Sequence, residues 1–146
     1  MLHNHSNSYQ DHYQSHIGKA TLDKKKLVAG SISDITLSYT IGDHGIDETG
    51  ALKILFRIAS DVGQLQFDNP KQPNYVSFET SNKTVTLLPG GPSTGCKGKQ
   101  HIRPWSQGFT LHVSGGYLAK GDVVHVQFKN LHIQTYTEKE FQFHIV

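Results

Sequence analysis

Apolar and polar residues alternate with a period of two along most of this chain. Ile35, Leu37, Tyr39 and Ile41 are separated by Thr36, Ser38 and Thr40. Leu52, Ile54, Phe56 and Ile58 follow, with Lys53 and Arg57 among the residues between them. Further runs are Tyr75–Thr80, Thr84–Leu88, Phe109–Ser114, Asp122–Phe128 and Phe141–Val146. Successive side chains of a strand point to opposite faces, so each run offers one apolar row to a core and one polar row to water. No segment carries a sustained i, i+3, i+4 stripe, which predicts no long helix. Ser81-Asn82-Lys83 is short enough for a hairpin between two strands. Ser114-Gly115-Gly116 and Lys120-Gly121-Asp122 carry the glycine that tight turns need for positive φ. Some seven to nine short strands predict an all-β, immunoglobulin-like antiparallel β-sandwich. A closed barrel is the alternative.

Two stretches break the alternation. Residues 1–16 are polar and rich in histidine and read as a flexible leader, which leaves 17–146 as one sandwich domain. Residues 89–108, rich in Gly, Pro and Lys, read as a long loop within it. Only 36% of the 146 residues are hydrophobic, but only 18% are charged. The shortfall is made up by neutral polar residues, so the chain is not a charge-expanded disordered one. No run of about 20 apolar residues exists, which predicts no membrane span. A net charge of +2 is too small to imply a nucleic-acid partner. The single Cys96 excludes an internal disulfide framework. The opening residues lack the apolar stretch of an export signal, so cytoplasmic residence is the default expectation.

The long loop carries Lys97, Lys99 and His101 and continues into Arg103-Pro104-Trp105. Arg103 can hold a carboxylate or phosphate through two parallel hydrogen bonds, and Trp105 offers a flat face to a sugar or another ring. A glycan or an acidic ligand fits that pair. The competing reading has Trp105 plugging one end of the sandwich and Arg103 pairing with an acid. The loop is not a phosphate-binding P-loop, because the Gly-Lys-Ser/Thr ending is missing. Cys96 has basic surroundings but no identifiable partner to orient a base, so it reads as a bystander thiol.

The ten histidines divide into two sets. Met1-Leu2-His3 can wrap Cu(II) or Ni(II) in a square-planar set of nitrogens, to which His5, His12 and His16 can add, and imidazoles also suit Zn. The alternative is a solvated leader with no metal role. His112, His125 and His144 each stand between apolar residues and so point away from the core. On neighbouring strands they would make a three-imidazole zinc site with an open position, the kind that supports hydrolysis. On distant strands they are merely exposed. Asp43, Asp47, Glu48, Asp61 and Asp68 fall in the loops flanking the Leu52–Ile58 run, where calcium is a candidate ligand. EF-hand spacing is absent.

Several blocks together resemble a known family. They are Gly42-Asp43-His44-Gly45-Ile46-Asp47 with Gly50-Ala51-Leu52-Lys53-Ile54, Phe56-Arg57-Ile58-Ala59-Ser60-Asp61, and Gln66-Phe67-Asp68-Asn69-Pro70 with Pro73-Asn74-Tyr75-Val76. Arg103-Pro104-Trp105 and Gly116-Tyr117-Leu118-Ala119-Lys120-Gly121-Asp122 complete them. In order and spacing they are similar to the N-terminal β-sandwich domain of a group of large microbial proteins. In that group a polymerase-and-histidinol-phosphatase (PHP) type metallohydrolase-like module follows. The similarity covers roughly Ser31 to Val146. Lys129-Asn130-Leu131-His132-Ile133 replaces the acidic, glycine-rich loop of that pattern, and none of the module's metal ligands falls within this chain. The resemblance therefore implies an accessory or interaction domain rather than an enzyme, with a downstream catalytic module or another protein as partner. A metal-handling protein using its leader and a small metal-dependent hydrolase are the alternatives.

Overall fold

The computed structural model describes residues 13, 15–57, 61–90, 107–137 and 141–146. Eight strands lie among them: β1 (Gly18–Leu22), β2 (Ile32–Ile41), β3 (Ala51–Phe56), β4 (Tyr75–Thr80), β5 (Thr86–Gly90), β6 (Gln107–Ser114), β7 (Val123–His132) and β8 (His144–Ile145). They form two four-stranded sheets, in the orders β1-β2-β7-β4 and β5-β6-β3-β8. Every strand pair is antiparallel. The all-β antiparallel sandwich expected from the alternation is the fold. Its strand order adds what a local pattern does not carry: β4 and β5 are consecutive in the chain yet belong to different sheets.

The inward rows are those that the alternation predicts. Ile35, Leu37, Tyr39 and Ile41 of β2 and Val124, Val126 and Phe128 of β7 face Leu52, Ile54 and Phe56 of β3 and Phe109, Leu111 and Val113 of β6 in one buried cluster. Phe128 is its aromatic centre. Its ring lies 6.0 Å from Phe56, 6.2 Å from Phe109 and 5.6 Å from Phe143 by centroid, within the range of favourable tilted and edge-to-face pairs.

Ser81-Asn82-Lys83 does not close a hairpin; it arches from one sheet to the other. The side chain of Asn82 holds the arch. Its Oδ1 accepts from Thr84 N–H at 3.1 Å and from the Thr84 hydroxyl at 2.8 Å. Its Nδ2 donates to Tyr117 O and to Asp122 Oδ2, in the loop between β6 and β7. Gly115 (φ 79°) and Gly121 (φ 88°) take the left-handed conformation that their turns predicted.

One irregularity shapes the longest pair. The β2–β7 register shifts between Ser33 and Ile35. Asn130 sits there at φ 50°, and its N–H donates to the Asp34 carboxylate at 2.7 Å. This is a β-bulge, which bends a strand locally. It lets β7 run on through Leu131 and His132.

Candidate functional site

The outer face of the β1-β2-β7-β4 sheet is built by the polar half of the alternation. In register, Thr21 lies opposite Ser38, Ser38 opposite His125, and His125 opposite Glu79. Two residues further on, Thr36 lies opposite Gln127 and Gln127 opposite Ser77, and beyond them Lys129 faces Tyr75. Polar side chains thus form two adjacent rows that cross the strands. The imidazole of His125 is fixed by Ser38, with Oγ and Nδ1 2.9 Å apart. Thr36 is fixed from its backbone, which donates to the Asp23 carboxylate at 2.8 Å.

The structure separates the three strand histidines. His125 is on one sheet, and His112 and His144 are on the other. His112 lies opposite Ala51 and His144 opposite Leu55, on the strands either side of β3. With about 4.8 Å between strands and about 3.4 Å per residue, those two stand roughly 16 Å apart. A shared zinc ion among the three is excluded by that geometry. The ring of His112 instead lies over Gly90 on the edge strand β5, where a Cβ would come within 2.1 Å of the imidazole. An aromatic ring covering an edge glycine restores contact area that glycine lacks.

The loop acids are likewise divided. Asp43, Asp47 and Glu48 lie in the loop before β3, and Asp61 and Asp68 in the loop after it, at opposite ends of that strand. Asp43 binds Lys120 at 2.5 Å and His16 Nδ1 at 3.2 Å. Hydrogen bonding to Lys120 holds its carboxyl below the usual value of 3.8. Asp47 accepts from Glu48 N–H, and Glu48 from Gly115 N–H. Asp61 accepts from both the backbone N–H and the hydroxyl of Thr135, and the hydroxyl chiefly holds its carboxyl below the ordinary value. Among the described residues no group of three or more His, Cys, Asp or Glu side chains is arranged to hold a metal ion. Calcium, a candidate for these loops, has no such group among the described residues.

His16, the one described member of the leader set, packs on the sandwich. Its ring stacks on His44 at 5.2 Å. The backbone around it pairs with the β2–β3 loop, Asp43 N–H donating to Ser15 O and His44 N–H to His16 O. His3, His5 and His12 lie outside the described residues, as do Cys96, Lys97, Lys99, His101, Arg103 and Trp105.

The alternation identifies the outward residues of β2, β4 and β7 but gives no hint that Ser38, His125 and Glu79 share a row. That depends on pairing between strands far apart in sequence. The comparisons with known proteins add little. No known family model matches the chain, and no curated protein matches it. One solved structure is similar to it, with a TM-score of 0.38 and 13% identity over 89% of this chain and 90% of the other. It is a biomass-sensing module of an RsgI-like protein of Clostridium thermocellum, described as resembling the family 3 carbohydrate-binding module of the cellulosome. None of these bears on the resemblance to a domain preceding a metallohydrolase.

Proposed function

We propose that this chain is a non-catalytic binding domain that takes a polysaccharide on the outer face of the β1-β2-β7-β4 sheet. The observation that carries the reading is the pair of in-register rows, Thr21–Ser38–His125–Glu79 and Thr36–Gln127–Ser77. They set hydroxyl, amide and imidazole groups on a grid of about 4.8 Å across the strands and about 6.8 Å along them. A periodic array of hydrogen-bonding groups matches a ligand that is itself a periodic array of hydroxyls. Glu79 is the one carboxylate in the two rows, so the middle of the face favours a neutral ligand. Tyr75 adds an aromatic ring at one margin.

The same geometry argues against catalysis there. Catalysis needs donors aimed at a reacting atom in a site that excludes water, and a sheet face has no walls. Ser38 and His125 therefore serve as a fixed contact pair, not as a nucleophile and its base. An accessory domain that holds a partner module near a polymer is consistent with this role. Arg103 and Trp105, with Lys97, Lys99 and His101, remain a proposed second contact for a glycan or acidic group.

Adsorption to insoluble cellulose, chitin and xylan tests the reading. The wild type is expected to be depleted from solution by at least one of them. The His125→Ala/Gln127→Ala variant is expected to lose at least tenfold in affinity with its thermal transition preserved. Equal adsorption by that variant would overturn the assignment of the face. If Arg103→Ala/Trp105→Ala alone abolished adsorption, the loop would be the site.

A further inference from the structure

A second surface lies at the end of the sandwich where β1 turns into β2. The chain there reads Lys24-Lys25-Lys26-Leu27-Val28-Ala29-Gly30. Ser31 N–H donates to Val28 O, and Gly30 stands at φ 72°, which makes Val28–Ser31 a type II turn. The turn is pinned to the segment that follows β7, with Gly30 N–H donating to Gln134 O and Ile133 N–H to Ser31 O. Val28 of the turn is 73% exposed, and Ile32, which follows it in β2, and Tyr136 are 59% and 40% exposed. Between the turn and Tyr136 opens a cavity of about 70 Å³ lined by Leu27, Ala29, Ile133 and Phe141 together with the polar Gln134 and Thr137.

This volume is well below the ~300–1,000 Å³ of a site for a whole small molecule. It suits a single aliphatic side chain. Three consecutive lysines precede the turn in the chain. Lys24, Lys25 and Lys26 are all exposed, with Lys24 Nζ donating to Ser33 Oγ at 2.7 Å; the carboxylates of Asp23 and Asp61 accept from Thr36 N–H and from Thr135.

We propose that this surface is a docking site for a partner protein, which inserts one aliphatic side chain into the cavity and places carboxylates against Lys24–Lys26. Tyr136 at the edge of the cavity covers the inserted group, and the lysines steer the acidic flanks. The proposal stands apart from the sheet-face reading, since it uses a different surface and a different chemistry.

Selection from a random peptide display library on the immobilised full chain tests it. The expected result is enrichment of peptides with one Leu, Ile, Val or Met flanked by Asp or Glu. A synthetic peptide of that consensus is expected to lose at least tenfold in affinity to Lys25→Glu/Lys26→Glu and to weaken at high salt. It is expected to lose binding likewise to Ala29→Met, whose longer side chain fills the cavity. Circular dichroism checks that both variants keep the fold, and Val28→Ser supplies a second probe if Ala29→Met does not. No enrichment, enrichment of basic peptides, or equal binding by the lysine variant would overturn the proposal. So would binding of N-acetylglucosamine oligomers, rather than peptides, that Val28→Ser abolishes.

Discussion

Ser38 and His125 stand directly opposite one another on β2 and β7, and their side chains meet, Oγ to Nδ1, at 2.9 Å. The contact holds an imidazole in place in the middle of a polar sheet face. Ser38→Ala should cost only about 0.5–1.5 kcal/mol, the net value of such a hydrogen bond. It should also change the ring-nitrogen shifts of His125 in an NMR spectrum. Urea denaturation beside that spectrum checks both, and an unchanged His125 signal would show that the serine does not fix the ring.

The core centred on Phe128 should respond on a different scale. Phe128→Ala removes a buried ring that packs on Phe56, Phe109 and Phe143, and should cost about 3–5 kcal/mol. Leu88→Ala on the outer face of β5, where Leu88 is exposed, should stay within about 0.5 kcal/mol. Denaturant melts of the pair are the check.

Gly108 has no room for a side chain. A Cβ there would stand 2.0 Å from the carbonyl oxygen of Ile54 on β3, and the backbone is at φ +146°. Gly108→Ala should therefore cost at least about 1–3 kcal/mol from backbone strain, with the clash in addition. A loss of thermal stability beyond that of a typical surface substitution is expected, and a neutral result would contradict the β3–β6 register.

Asp61 gives a pH dependence of defined sign. Its carboxyl is held below the ordinary 3.8, chiefly by the Thr135 hydroxyl. The folded state therefore favours the ionised form, and the stabilisation is present above the unfolded value and fades as pH falls through the folded one. Asp61→Asn should lower the melting temperature at neutral pH. The difference from wild type should shrink below roughly pH 4 as the native carboxyl is protonated. Melting curves from pH 7 to pH 2 measure it.

How much of the molecule is legible in its sequence differs by element. The inward rows of β2, β3, β6 and β7 can be read from alternation alone, since one buried face imposes period two. β1 cannot, because Lys19, Ala20 and Thr21 are all exposed and the strand is held by its pairing with β2 rather than by burial. Leu55 breaks the rule from the other side: it is 1% exposed although it is out of phase with Leu52, Ile54 and Phe56, which face the core. The arch at Asn82 resembles a hairpin in sequence because its length suits one; its cross-links to Tyr117 and Asp122 are non-local. For the same reason the outward orientation of His112, His125 and His144 is readable but their separation onto two sheets is not. The polar rows of the candidate face have this character too, each residue visible in the sequence and their adjacency visible only in the register.

The most direct test of the sheet-face site is an amide NMR titration of the full chain with a soluble oligosaccharide of whichever polysaccharide retains it. Shift changes are expected to concentrate at Thr36, Ser38, Ser77, His125 and Gln127, with the outer face of the β5-β6-β3-β8 sheet unchanged. Changes confined to other regions, with those five residues unmoved at saturation, would contradict it.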